Sequence, residues 1–178
     1  MKKFLKIVGI VILSLIVLVL VAGLIAPKKY HIEREITINA PREKVWSHVS
    51  NLEECHKWNP WSEEDPNIKV SYAGNLGTVG SSYSYTSEKV GAGTQTLTKV
   101  DQPQRVESHM KFIKPFDGDA DIFINLQDAG AGTKVTWGFD TQYSYPMNAM
   151  LLVMPMDKMM SESYDKGLNN LKRISESN

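Results

Sequence analysis

Only one cysteine, Cys55, occurs in the chain, so no intrachain disulfide can form and no cysteine metal cluster exists. No sequence neighbour is placed to activate its thiol, and the residue reads as a small, semi-buried side chain. Acid is absent from residues 1–29, which hold five lysines: Lys2, Lys3, Lys6, Lys28 and Lys29. Residues 30–178 therefore carry fifteen basic and twenty acidic side chains, a net of −5. No basic run interrupts that surplus, which argues against a nucleic-acid partner. The four histidines (His31, His48, His56 and His109) stand far apart, with no HExxH pattern or close pair. Two Gly-Ala-Gly-Thr stretches, 91–94 and 130–133, lack the lysine and helix of a phosphate loop and read as turns. Glu53-Glu54 and Glu63-Glu64-Asp65 read as solvated surface acids. No catalytic constellation, metal-ligand set or cofactor motif is found, nor any internal repeat.

What is present begins with one long apolar run. Ile7–Ala26 is twenty residues without a charge and with a single hydroxyl, Ser14. As a helix it is about 30 Å long, the thickness of a hydrocarbon core. A cleaved signal peptide is the competing reading. Against cleavage stand the length of the run, Leu24 where a small residue is wanted before Ala26, and Pro27 just after the cut. No cysteine is placed for lipid attachment. The expectation is a retained single-pass anchor over 1–29 and a folded domain over 30–178. Lys2, Lys3 and Lys6 ahead of the run favour an N-terminus inside and a domain on the non-cytoplasmic side. Lys28 and Lys29 against anionic headgroups are the alternative.

From Tyr30 the pattern is mainly that of strands. Ile32, Ile36 and Ile38 alternate with polar neighbours, interrupted by Arg34 at an expected rim position. Pro41 fits the first turn of a helix, and Val45, Trp46, Val49 and Leu52 follow at helical spacing. Two short helices are expected, broken near Ser50-Asn51 and ended by Pro60 and the Ser62–Pro66 segment. Strand signals then recur: Ile68–Ala73, Ser81–Ser87, Thr94–Val100, Arg105–Phe112, Ala120–Leu126 and the strand after Gly132. Tight turns make them antiparallel neighbours, about seven with the first. The inner face of Thr94–Val100 is ambiguous, with Thr94, Thr96, Thr98 and Val100 set against Leu97. His109 alternates with Met110 and is expected to face solvent.

Six of the eight methionines fall between Met147 and Met160. Plain core filling explains them, and so does a wall that adapts to an irregular apolar ligand. From Met156 to Leu171 apolar residues recur at steps of four, four, four and three, predicting a long amphipathic helix to Ile174. Such a helix needs an apolar surface, and a sheet curved around it supplies one.

Three segments carry a resemblance to a known family: ITINAPREKVWSHVSNLEECHKWNPW (36–61), FIKPFDGDADIFINLQDAGAGTKVTWGF (112–139) and MDKMMSESYDKGLNNLKRI (156–174). In this order they resemble the SRPBCC (START and birch-pollen-allergen-like) superfamily, in its polyketide cyclase/dehydrase-like branch. The resemblance implies an α+β helix-grip fold. In it a curved antiparallel sheet wraps a long C-terminal helix, here preceded by a transmembrane helix. It also implies a cavity between sheet and helix, with the side chains deciding whether it is open or filled. Candidate lining residues are Tyr72, Tyr83 and Tyr85, then Met110, Phe112 and Ile124, then Trp137 and Phe139, and on the helix Met160 and Tyr164. The loop Lys114-Pro115-Phe116 is a candidate cover, and Trp58 and Trp61 a candidate rim. The leading expectation is a membrane-anchored binding module for a hydrophobic small molecule or lipid. An aromatase/cyclase-like enzyme, with Arg105, His56 or a tyrosine as its polar group, is one alternative. A closed-core protein-interaction or sensor domain is the other.

Overall fold

Backbone groups in an uncharged apolar run find partners only within the run, which favours a helix. In the computed structural model, which describes residues 1–177, α1 spans Lys2–Ile25. Its lone hydroxyl is satisfied internally, Ser14 Oγ donating to the Ile10 carbonyl at 2.9 Å. Gly23 is the one buried residue of this helix. The helix is long and apolar enough to cross a membrane, a description that a span and a signal sequence share.

The chain divides into two compact units. One joins Met1–Tyr30 with Gln142–Met156, and the other holds His31–Thr141 with the chain from Asp157 onward. The first contains α1, a 3-10 turn over Met147–Ala149 and a short helix, α5, over Met150–Val153. The second contains nearly all of the sheet and most of the C-terminal helix, α6, which spans Met156–Glu176.

The sheet has seven strands: β1 Lys29–Ile38, β2 Lys69–Ala73, β3 Ser82–Ser87, β4 Gly91–Asp101, β5 Arg105–Lys114, β6 Gly118–Ala129 and β7 Gly132–Gln142. Their order is β1-β7-β6-β5-β4-β3-β2, so the first strand pairs with the last and consecutive strands β2 to β7 form an antiparallel meander. Between β1 and β2 come three helices, α2 Arg42–Val49, α3 Leu52–Trp58 and α4 Pro60–Glu64. The expected break at Ser50-Asn51 is present, with Asn51 capping α3 by accepting from the Glu53 amide at 2.8 Å. Helix α3 stops at Trp58, just before Pro60, and the helical stretch ends at Glu64, but Pro60 also begins a third helix that was not expected. It opens α4, where its missing N–H costs nothing, and Asn59 caps that turn through the Trp61 amide at 3.0 Å.

Strand β4 departs from expectation in two ways. Gly91–Thr94 lies inside the strand instead of forming the turn, which falls on Glu88–Val90. A Cβ on Gly91 would sit 2.1 Å from the Lys114 carbonyl oxygen, and φ there is +83°, so close approach to β5 demands glycine. The second departure resolves the ambiguous face. Gln95 pairs with Met110 and Leu97 with Ser108, then the register shifts between Leu97 and Lys99, and Val100 pairs with Val106. A bulge thus turns both Leu97 and Val100 toward the same side.

Helix α6 lies on this sheet through Tyr164, Gly167, Leu168 and Leu171, all buried. Each of the two leucines contributes about 1.5–3 kcal/mol by leaving water. Gly167 sets the approach: a Cβ would meet the Trp137 ring at 2.7 Å and Pro60 at 3.0 Å. Polar contacts fix the helix laterally. Arg34 grips Asp165 with two bonds, Nε to Oδ1 at 2.8 Å and a terminal nitrogen to Oδ2 at 2.9 Å. Lys166 reaches Glu63 of α4 at 2.8 Å, and the Asn39 amide donates to Glu176 at 2.7 Å.

Candidate functional site

Residues directly opposite across a ladder share a face, so register alone draws the inner surface of the sheet. One row runs Tyr72, Tyr83, Gln95, Met110, Ala120, and the next holds Tyr85, Gly93 and Phe112. On the other side of the first row lie Leu97, Ser108, Ile122 and Phe139, followed by Val106, Ile124 and Trp137. Eight of the candidate lining residues therefore share this surface, and α6 supplies Met160 and Tyr164.

The surface has two chemically different ends. At the β7 end, Trp137 and Tyr164 stack with ring centroids 4.0 Å apart and planes 22° from parallel. Trp58 meets Trp137 edge-on at 5.0 Å, and Trp61 meets both Trp137 and Tyr164 at 6.1 Å. Such aromatic pairs add about 0.5–1.5 kcal/mol each beyond their buried area. Trp58 is not at a rim: it is buried, and its Nε1 donates to the His48 carbonyl at 2.9 Å. The Trp137 indole N–H is buried without a hydrogen-bond acceptor among the described residues. This end is packed shut.

The β2–β5 end is polar and less buried. Tyr72, Tyr83 and Tyr85 form a ladder with successive centroids 5.5 and 5.9 Å apart. Gly93 makes room for it, because a Cβ there would touch the Tyr85 hydroxyl at 3.0 Å. His56 lies against Tyr83, its Nδ1 2.8 Å from Ser62 Oγ and 3.3 Å from the Tyr83 hydroxyl. Gln95 Nε2 donates to the buried Ser108 hydroxyl at 2.8 Å. Tyr72, Tyr85, Gln95 and Phe112 face the helix layer yet stay half-buried.

Burial raises the three tyrosine phenols above their ordinary value, keeping them neutral donors. It also lowers His56, so the imidazole at this end is neutral near pH 7. His109 is raised instead, first by its hydrogen bond to Asp121 at 2.9 Å, with Asp119 at 3.3 Å adding to it. It faces solvent on the outer side, as its alternation with Met110 implied. An NMR titration of the ring protons should therefore show His109 titrating at higher pH than a free histidine and His56 at lower pH; coincident midpoints would contradict the two environments. The stability consequences have opposite signs. Because unfolding frees His56 to bind a proton, its share is lost as pH falls below the ordinary histidine range. The share from His109 is present in acid and lost as pH rises through its raised value.

Several residues lie where the sequence did not place them or play a different part. Arg105 is on the outer face, opposite Asn125, its guanidinium 4.5 Å above the Phe123 ring and bonded to Glu107 and Asn125. It lines a cleft of about 140 Å³ with Thr98, Asp121 and Asp140, an open and charged place on the wrong side for an apolar ligand. Asp65 is not a solvated acid: it is buried and accepts from Ser87 Oγ at 2.6 Å and the Asn67 amide at 2.9 Å. Cys55 is inert, its thiol pushed up to about 12 by burial and donating to the Val49 carbonyl at 3.3 Å. Phe116 is exposed between β5 and β6. Sequence reasoning passed over Ser62, Gln95 and Ser108. Only the period-2 match of Gln95 with Leu97 and of Ser108 with Met110 could have flagged the last two.

Comparison with known proteins agrees with this fold. Residues 29–176 match the family described as polyketide cyclase / dehydrase and lipid transport. No curated protein matches the sequence. Among solved structures, protein CV1439 from Chromobacterium violaceum is 15% identical with a TM-score of 0.62, over 83% of this chain and 98% of that one. Ara h 8.0201 is 13% identical with a TM-score of 0.61, over 84% and 99%. The Aha1 dimer from Colwellia psychrerythraea is 16% identical with a TM-score of 0.58, over 83% and 96%. Identities this low speak to the fold alone. The chain belongs to the polyketide cyclase/dehydrase and lipid-transport family of the SRPBCC superfamily, with a helix-grip fold.

Proposed function

We propose that this protein is a membrane-tethered binding module that holds a hydrophobic small molecule or lipid between the sheet and α6. The observation that carries the reading is the unequal interior. Its tryptophan end is packed shut, whereas Tyr85, Gln95 and Phe112 point inward and keep accessible surface. Aromatic walls with a few fixed hydroxyls suit a large apolar molecule bearing one or two polar groups. Tyr72, Tyr83, Ser62 and His56 would orient those groups, and Met110, Ile124, Phe139 and Met160 would contact the apolar body. The family description, which includes lipid transport, supports the same class of ligand. In this reading α1 is retained as a single-pass anchor over residues 1–29, and the domain over 30–178 lies on the non-cytoplasmic side. Tethering keeps an apolar-ligand site beside a source of apolar ligand.

The test is solvent extraction and mass spectrometry of full-length protein held in lipid nanodiscs, against empty nanodiscs. One apolar compound class enriched in repeated preparations is expected. Repeatedly empty protein that also fails to take up a fluorescent fatty-acid analogue would overturn the reading. C-terminal reporter fusions that fluoresce or act on one side of the membrane only check the topology.

The contact of Ser62 and Tyr83 with a neutral His56 favours a second reading, a cyclase-like enzyme with His56 as the proton-accepting group. Under that reading His56→Ala leaves the bound compound in place and stops its conversion. Under the binding reading no conversion is seen in either form.

A further inference from the structure

The segment between β7 and α6 has no role in the interior described above, yet it is unusual in composition and placement. Gln142–Met156 contains no charged residue and four methionines. It forms one compact unit with Met1–Tyr30, so the whole unit carries five lysines and no acid. The two parts are bonded together. Asn148, fully buried, donates through Nδ2 to the Gly23 carbonyl at 2.7 Å and the Ala26 carbonyl at 3.0 Å. The Gly23 carbonyl is in the last turn of α1, where no partner remains inside the helix, and Ala26 is the residue that caps its end. Gly23 permits the contact, since a Cβ there would press on the Tyr145 ring at 3.0 Å and on Asn148 Oδ1 at 3.3 Å. The Tyr143 amide adds a bond to the Lys28 carbonyl at 2.8 Å.

Against this fixed junction the next residues are apolar and uncovered. Helix α5 buries none of its four residues; Leu152 is 49% and Val153 81% exposed, and Met147 and Met154 are exposed beside them. Exposed Tyr145 and the pair Lys28-Lys29 stand at the same end of α1. A tyrosine and lysines flanking an apolar span are the residue types that settle at the headgroup level.

We infer that Met147–Met154 is an interfacial foot that inserts into the leaflet where α1 ends, with Leu152 and Val153 at the boundary of headgroups and acyl chains. The occupant is phospholipid. Continuity with the apolar surface of α1 and the absence of any acid from the unit favour a bilayer over a second protein. The bonds from Asn148 would make anchor and foot one rigid element, fixing the depth and tilt of α1. This inference rests on the reading of α1 as a retained membrane span.

Depth measurements separate the two. In a Cys55→Ser background, Val153→Cys or Leu13→Cys is labelled with an environment-sensitive fluorophore, and the full chain is reconstituted into vesicles of phosphatidylcholine and phosphatidylglycerol. An interfacial helix lies about 5–10 Å into the boundary. Doxyl lipids should therefore quench both labels, with iodide excluded from each. Quenching by lipid at 13 together with quenching by iodide at 153 overturns the foot and leaves the anchor standing. A label at 153 shielded from both quenchers overturns it in favour of a protein cover, such as a second copy. Failure of doxyl lipids to quench at 13 removes the anchor and the foot with it. Val153 is the most exposed residue of α5, so labelling there does not disturb packing.

Discussion

Replacing Trp137 with alanine should lower the free energy of unfolding by about 3–5 kcal/mol, the range for truncating a large buried aromatic. The indole stacks on Tyr164, meets Trp58 and Trp61, and is the surface on which Gly167 brings α6 down. Its removal opens a void that neighbours on three elements cannot close together. Trp137→Phe should cost much less, because it keeps an aromatic surface and deletes a buried N–H that has no acceptor among the described residues. Denaturant midpoints at constant slope would read both. A Trp137→Ala loss below about 1 kcal/mol would mean the tryptophan end is not a packed core. Tyr164→Ala combined with Trp137→Ala should be clearly non-additive, since the rings are in direct contact.

Met110→Trp should reduce occupancy by an apolar ligand by roughly tenfold or more, about 1.4 kcal/mol in binding free energy. Met110 stands in the row between Gln95 and Ala120, and an indole there would occupy the inner face beside the tyrosine ladder, where the proposed ligand lies. Overpacking carries its own cost of about 1–3 kcal/mol, so thermal unfolding is measured on the same samples. Loss of the extracted compound with a cooperative transition retained assigns the effect to the site. Unchanged occupancy would place the ligand elsewhere and leave Met110 as core. Tyr83→Phe makes a milder comparison, removing one hydroxyl while keeping the ring.

Much of the architecture was readable because periodicity reports burial directly. Alternating isoleucines from Ile32 to Ile38 and the stripe from Met156 to Leu171 each found the partner surface they required. The misreadings share a cause. Glycine and proline mark special backbone, but not which special backbone. Pro60 looked only like a stop, and it follows the end of α3, but it also starts α4, because a missing N–H costs nothing at the first position of a helix. Gly91 and Gly93 looked like a turn, yet they are needed for the approach of the Lys114 carbonyl and the Tyr85 ring, neighbours supplied by other strands. The face of β4 could not be read from alternation, since a bulge between Leu97 and Lys99 changes the parity partway along the strand.

The candidate site was legible in type and not in arrangement. An interior rich in tyrosine, methionine and tryptophan follows from composition and spacing. That its aromatics sort into a packed end and a half-buried end does not, because the sorting depends on which side chains α3, α4 and α6 press against each strand. His56 reaches Ser62 and Tyr83 only because α3 and α4 fold over β3. Trp58 became core for the same reason.

By itself the sequence determined the apolar N-terminal helix, the α+β class, the strand succession and the family likeness, all of which rest on local period and on motifs in order. Only the tertiary structure decided that Arg34 holds α6 through Asp165, that Arg105 lies over the Phe123 ring and that Asn148 closes the end of α1. Each of those contacts joins residues at least eighteen positions apart, and no local pattern in a single chain encodes which distant partner a polar side chain will find.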